Sequence, residues 1–532
     1  MHIRLSRYST VIVVWALLCV ALYLMPRHPA WMWVAIGAAV LMMVGVRDLL
    51  QTHHSILRNY PIIGHIRWMV EMIRPEIRQY LLESDEDAVP FSRMQRSLVY
   101  RRAKGQSSEQ PFGTQHDVYR EGYEFISHST QPLVPADPAS FRIMIGNDQC
   151  AKPYSASVFN ISAMSFGSLS ANAIRALNAG AKRGGFSHDT GEGSISRYHR
   201  EAGGDIVWEI GSGYFGCRTE DGKFDPERFA AQARDDQVKM IEIKLSQGAK
   251  PGHGGVLPAA KINEEIAATR GISMGRDCVS PPSHSAFSNP REMMTFIAQL
   301  RELSGGKPVG FKLCIGHPWE FMAMVKAMLA TGVTPDFIVV DGAEGGTGAA
   351  PVEFSDHVGL PMREGVLFVH NVLVGAGLRK RIRIGAAGKV VSAFDIACVL
   401  ALGADWANAA RGFMFALGCI QSVSCNTNRC PTGIATQDAA RQRALVVPDK
   451  AERVYRFHAS TMRALSELLA AAGIAHPSDL RPRHLIRRVS PSRVSQFSDL
   501  HKFLAPGELL GGACDDNFFG HNWAMASADT FG

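Results

Sequence analysis

The chain of 532 residues lacks most of the features that assign a function class at sight. It has no strong charge of one sign. The net charge of +7 is small for the length, and no basic stripe interleaved with aromatics is present, which speaks against nucleic-acid binding. It has no disulfide framework, because seven of its ten cysteines have no close partner in sequence. No repeat of 20 to 50 residues is evident, which argues against a solenoid. A usable dinucleotide fingerprint is missing too. The one G-x-G-x-x-G match, Gly211 to Gly216, runs into Cys217-Arg218-Thr219-Glu220-Asp221-Gly222, which opens a helix poorly. An apolar fraction of 46% with 20% charge excludes a disordered chain.

Long apolar runs are present at the start. Val11 to Met25 and Ala30 to Val46, 15 and 17 residues, flank the turn Pro26-Arg27-His28-Pro29. A membrane-crossing helix needs about 20 apolar residues, and Tyr8, Ser9 and Thr10 extend the first run while Trp31 and Trp33 suit an interface. We therefore expect a transmembrane helical hairpin over residues 1–50. Arg4 and Arg7 precede it, and Arg47, Arg58, Arg67, Arg74 and Arg78 follow, against one arginine in the turn. Both ends should then face the cytoplasm from the inner (cytoplasmic) membrane. A cleaved secretory signal is the rival reading, and the second run argues against it.

Residues 51–150 read as a helical connector and lead-in, with Ile62, Ile63, Ile66, Met69, Val70, Ile73 and Ile77 at helical spacing before the acidic Glu83-Ser84-Asp85-Glu86-Asp87. From about residue 151, short β-branched runs alternate with helical stretches: Val158 to Ala163, Met240 to Leu245, Val309 to Cys314, Phe337 to Val340 and Arg381 to Ile384. Such alternation implies a parallel sheet, and the length to about residue 445 suits one α/β (β/α)8 TIM barrel with chemistry on its glycine-rich loops. Residues 446–532 read as a C-terminal helix and an irregular tail.

The most specific motif is Gly418-Cys419-Ile420-Gln421-Ser422-Val423-Ser424-Cys425-Asn426-Thr427-Asn428-Arg429-Cys430-Pro431, a C-x5-C-x4-C run. Three thiolates on one loop closing on Cys-Pro suit an iron–sulfur cluster. Zinc would want a fourth ligand, for which distant His458 is the candidate.

With Thr432-Gly433-Ile434-Ala435-Thr436-Gln437 added, this segment resembles the [3Fe-4S] segment of the glutamate synthase family. Other segments between about 150 and 445 carry the same resemblance. Ser162-Ala163-Met164-Ser165-Phe166-Gly167-Ser168 is similar to the first barrel loop of the family, against FMN. Thr190-Gly191-Glu192-Gly193 resembles the loop whose glutamate faces substrate. Gln247 to Pro258 resembles the loop whose lysine, here Lys250, meets the 2-oxoglutarate carboxylate. Lys312 matches a family lysine near the flavin, where a cation stabilises the anionic reduced ring. The rim Gly345-Gly346-Thr347-Gly348, then Gly385-Ala386-Ala387-Gly388-Lys389, then Ala409-Ala410-Arg411-Gly412 ends three successive units. Late barrel loops of this kind cradle phosphate, with Lys389 or Arg411 supplying charge.

The resemblance implies FMN held by Met164, Ser165, Lys312, Gly346, Thr347, Gly348, Gly385, Gly388, Lys389, Ala410 and Arg411. It also implies a [3Fe-4S] cluster on Cys419, Cys425 and Cys430, with Glu192 and Lys250 as catalytic residues. The expected reaction is reductive amination of 2-oxoglutarate to glutamate. No glutaminase domain fits before the hairpin, so nitrogen should come as free ammonia or from a glutaminase partner. No pyridine-nucleotide domain is visible, so electrons should come from a ferredoxin-like protein, an NADPH-oxidising partner or a membrane carrier. His253 and Val256 depart from the acid and the amide usual in the family, which admits another 2-oxoacid or another amine, as in N-methylglutamate synthesis. A membrane-tethered flavin redox sensor is the reading from another class.

Overall fold

The computed structural model describes residues 8–51, 55–84, 90–511 and 517–532; Arg4, Arg7 and the acidic residues 85–87 lie outside them. The chain forms two compact units, residues 1–89 and 90–532.

In the first unit the two apolar runs are helices, α1 (Ser9–Leu24) and α2 (Ala30–Leu50). They pack on each other, and Ala21, Ala35 and Ala38 are buried, whereas Trp15, Trp33 and Met43 are exposed. Small residues inside and large apolar ones outside invert the pattern of a water-soluble helix pair. Among the described residues α2 alone is long and apolar enough to cross a membrane; α1 has 16 residues. After a short helix, Ser55–Asn59, a further helix, Gly64–Ile77, is tied back to α2. Buried Asp48 accepts from the Ile62 amide at 2.9 Å and bonds His65 Nε2 at 2.9 Å.

The second unit is built on a closed barrel of eight parallel strands, in chain order around the ring. These are β1 (Phe159–Ile161), β2 (His188–Asp189), β3 (Ile206–Ile210), β4 (Val238–Lys244), β5 (Val309–Leu313), β6 (Phe337–Asp341), β7 (Arg383–Ala387) and β8 (Trp406–Ala409). β8 pairs back onto β1, Ala407 opposite Phe159, so the sheet has no edge. Every residue of β3 and of β5 is buried. Strands covered on both faces are continuous apolar runs, which is why β5 and β6 are legible in the sequence. No helix follows the Gly211–Gly216 match until Pro226–Ala233, so that glycine pattern is a turn.

The hairpin Arg142–Ile145 with Tyr154–Ser157 plugs the amino-terminal end of the barrel, where Ile145, Tyr154 and Ala156 pack with Val207, Phe337, Val339 and Trp406. That closure leaves the carboxyl-terminal end for chemistry. The long helix Val447–Ala471 packs along Ala171–Gly184. The tail beyond Pro477 is more regular than expected. Leu485–Ser490 pairs antiparallel with Glu124–Ile126 and with Arg493–Gln496, and Arg487 and Arg363 neutralise Glu124 between them at 2.7 and 2.6 Å. A partner strand far away in sequence supplied the order that local composition did not show.

Candidate active site

A cleft opens at the carboxyl ends of the strands. Ser162, Ala163, Met164 and Ser165 line it after β1, Gly191 and Glu192 after β2, Lys244 at the end of β4, and Gln247 and Lys250 after it. The β2 loop lies flat on the β1 loop. Gly191 has φ 63°, and a Cβ there would stand 2.7 Å from the Ser165 nitrogen. Only glycine meets both demands.

Glu192 does not act alone. Its Oε1 is 3.2 Å from Lys244 Nζ, and Ser280 Oγ donates to its Oε2 at 3.4 Å. Burial opposes its charge, but Lys244, Arg270 and Lys250 together outweigh burial and hold the carboxyl below its ordinary range. Lys244 also donates to Gln247 Oε1 at 2.6 Å. Lys250 is only 4% exposed, and its ammonium makes no hydrogen bond or ion pair among the described residues. Burial, then Lys244, lowers its pKa. An unpaired ammonium at the wall of a cleft is an anion site.

Lys312 of β5 forms the floor with Glu209 of β3, to which it is ion-paired, and Glu242 Oε1 lies 3.4 Å from its nitrogen. Burial opposes the charge of Lys312, yet Glu209, Glu242, Asp189 and Asp341 outweigh it and hold the pKa well above the ordinary value.

The opposite rim carries Gly345, Gly346, Thr347, Gly348, Gly388, Lys389, Ala410 and Arg411. A Cβ on Gly346 would lie 2.5 Å from Arg411 Nε, so the bare backbone lets the guanidinium come in. Arg411 donates to the Thr347 carbonyl at 3.4 Å, and Gln247 Nε2 donates to Thr347 Oγ1 at 3.2 Å. Gly385 is placed differently from the sequence expectation. It lies inside β7, does not line the cleft, and is glycine because the Trp406 ring would stand 2.5 Å from its Cβ.

The cysteine loop reaches the same cleft through Cys425 and Asn426. Cys419 and Cys430 lie behind it, near enough for the three thiols to raise one another's cost of ionising. Among the described residues the only three acid, cysteine or histidine side chains with ligand atoms mutually within 4.8 Å are Asp189, Glu209 and Glu242, so the three sulfurs are not all within that distance of one another. A mononuclear zinc would hold its sulfurs about 3.8 Å apart. His458 is no ligand: it stacks on Phe186 at 3.9 Å and bonds the Phe159 carbonyl at 3.0 Å. Burial pushes the Cys419 thiol up to about 11 and raises Cys425. At Cys430 burial acts the same way, but the Thr432 hydroxyl and the amides of Ala435, Thr432 and Ile434 outweigh it and lower the pKa. Gln421, Val423 and Asn428 have φ of 58°, 52° and 60°, turning the loop sharply. Asn428 and Gln437 fasten it: Gln437 donates to the carbonyls of Gly167 and Leu169 at 2.9 Å each, which joins the cysteine loop to the β1 loop. Buried Lys261 stands beside Cys425 and Cys430 and donates to the Ser168 carbonyl at 3.0 Å.

Sequence reasoning missed Lys244, Glu209 and Lys261. The signal for the first two was a charged residue inside or ending an apolar strand run, Ile206-Val207-Trp208-Glu209-Ile210 and Val238 to Lys244.

A parallel eight-stranded barrel with an acid, three lysines and a glycine-edged rim at its strand C-termini is built as barrel enzymes are. Residues 105–475 match the family described as the conserved region in glutamate synthase, and the chain belongs to the glutamate synthase family. The glutamate synthase large subunit-like protein YerD of Bacillus subtilis is 39% identical over 89% of this chain and 97% of its own length. The archaeal-type glutamate synthase [NADPH] of Thermotoga neapolitana is 34% identical over 60% of each chain, and the archaeal glutamate synthase [NADPH] of Methanocaldococcus jannaschii is 35% identical over 60% of each. The match thus spans about 60% of the length of those two [NADPH] enzymes.

Proposed function

We propose that the chain is an FMN- and iron–sulfur-dependent oxidoreductase that forms glutamate by reductive amination of 2-oxoglutarate. The observation that carries this reading is the meeting of Lys244, Lys250, Lys312 and Glu192 in one cleft with Cys425 in its wall. The residues suit both cofactors. A phosphate at the Gly345 to Gly348 rim meets backbone amides and the cations Lys389 and Arg411, and Lys312 suits the electron-rich edge of a flavin ring. Three thiols on one loop and the amides around Cys430 suit a [3Fe-4S] cluster on Cys419, Cys425 and Cys430.

Bound FMN would supply hydride transfer, and the cluster would supply electrons one at a time. The chain's own residues do the rest. Lys250 binds a carboxylate of the oxoacid, with its free ammonium as the point charge. Glu192, held ionised, takes a proton from the incoming ammonium and returns it to the hydroxyl that leaves as water. Lys244 keeps that carboxyl ionised between turnovers. Phe91, Leu257 and Val390 give the cleft apolar walls that keep water from the reacting carbon.

Nitrogen would come as ammonia, free or from a glutaminase partner, and electrons from a ferredoxin-like or other one-electron donor. The apolar outer faces of α1 and α2 support a membrane anchor, with the catalytic unit on the cytoplasmic side of the inner membrane. One observation favours a second amine or oxoacid: Val256 lines the cleft where the family usually has an amide. Incubating anaerobic protein, a reduced one-electron donor and 2-oxoglutarate with ammonium or methylamine tests both. Glutamate supports the first reading and N-methylglutamate the second. No amino acid from any 2-oxoacid contradicts both and favours a redox sensor.

A further inference from the structure

The interior below the cleft is charged where barrels of this kind are filled by branched apolar side chains. Asp189 of β2, Glu209 of β3, Glu242 of β4 and Lys312 of β5 are each at most 3% exposed. One oxygen from each of the three acids lies within 4.8 Å of the other two. One oxygen of Asp189 thus lies within 4.8 Å of one of Glu242, and Glu242 Oε1, facing Lys312, has no hydrogen-bond partner. Asp341 of β6 also faces the group, its Oδ2 taken by the Gly248 amide at 2.9 Å, and the charge of Lys244 reaches it from the end of β4. β1 and β8 contain no ionisable residue, and Arg383 of β7 is paired with Asp405 at 3.5 Å.

The charges do not cancel: three buried carboxyl groups face one ammonium. Three carboxyl groups this close cannot all ionise away from water beside a single ammonium, so the cluster holds a proton. Burial, then Glu209, pushes Asp189 up to about 7, and burial with Asp189 raises Glu242 well above the carboxylate range.

We propose that Asp189, Glu209, Glu242 and Lys312 form a proton store beneath the flavin, holding one proton when the ring is oxidised and gaining a second, on Glu209, when it is reduced. This rests on the FMN reading of the cleft. Glu209 and Lys312 line the cleft, whereas Asp189 and Glu242 do not, so the store has an outer member that can exchange with solvent and an inner pair that keeps its proton. Two electrons from the external donor and one proton leave the ring with one negative charge. Lys312 then answers that charge as well as Glu209, and the less stabilised Glu209 carboxylate takes one proton from water in the cleft. The ring gains two electrons and one proton, Glu209 gains one proton, and the net charge of the site is unchanged.

Two measurements test this. Infrared spectra of the flavin-free protein should contain a protonated-carboxyl band that shifts in heavy water and is lost in Asp189→Asn with Glu242→Gln. The flavin midpoint potential, followed against pH, should report two protons per electron pair in the native protein and one in Glu209→Gln. Proton release or uptake by native protein, read with a pH indicator during photoreduction, repeats the count if that variant does not fold. One proton per pair in the native protein overturns the proposal, as does absence of the carboxyl band while FMN binds. Failure to bind FMN with the band present sinks the cofactor reading, and the redox coupling falls with it.

Discussion

Lys244 Nζ lies 3.2 Å from Glu192 Oε1, and both residues line the cleft beside Lys250. The acid predicted from its loop alone is thus half of an ion pair. Its neighbours, not its burial, decide its charge.

Removing that cation should be visible in the pH profile. Burial alone would raise Glu192, and Lys244 is the largest influence lowering it. In Lys244→Met the pKa of Glu192 should rise, so the acid limb of kcat should move to higher pH. A pH–rate profile that keeps its native acid limb would count against Glu192 as the proton carrier.

Lys250 should govern affinity for the oxoacid. Losing a buried charged partner costs about 3 kcal/mol, roughly 100-fold, so Lys250→Met should raise the KM for 2-oxoglutarate by about that factor. Its lowered pKa also fixes a sign. The ammonium is present below that pKa and lost above it, so KM should climb as pH rises toward the ordinary lysine range, and Lys250→Arg should push the climb to higher pH. A KM flat over that range in the native protein would contradict the assignment.

Two glycines separate binding from folding. Gly346→Ala displaces Arg411 and should weaken FMN binding roughly tenfold with little change in Tm, as read by fluorescence titration. Gly385→Ala pushes a methyl into the Trp406 ring and should cost about 1–3 kcal/mol of stability, since the interior cannot relax around it. Equal effects of the two on FMN affinity would place Gly385 at the cofactor after all.

Cys425→Ser should leave flavin bound but abolish turnover with the one-electron donor, because the cleft keeps its rim while one sulfur ligand is gone. Unchanged turnover would refute the relay.

Val256→Gln restores an amide at a cleft position that is 37% exposed. One added hydrogen bond to a charged oxoacid is worth about 1.5 kcal/mol, so KM for 2-oxoglutarate should fall roughly tenfold against simpler 2-oxoacids. No change would remove this residue from substrate choice.

The barrel is legible where physics acts locally. Val309–Leu313 and Phe337–Asp341 stand out because burial on both faces demands an unbroken run, although Lys312 and Asp341 are charged. β2 is only His188–Asp189, too short to show any period, and β8 is Trp-Ala-Asn-Ala, whose small residues resemble a loop. The cysteine loop is legible because its spacing is local. Lys244 is not, because a lysine at the end of a strand reads as a solvent residue until a distant Glu192 is brought to it. Gly385 is misread for the same reason, since the ring that requires glycine belongs to the next strand.

The most direct test of the account is the absorption and electron spin resonance of anaerobically purified protein. The account predicts a bound flavin together with a three-iron cluster signal that disappears on reduction, and a change in the flavin spectrum on adding 2-oxoglutarate. Protein that carries zinc on its cysteines, or that holds no flavin when FMN is supplied, would contradict it.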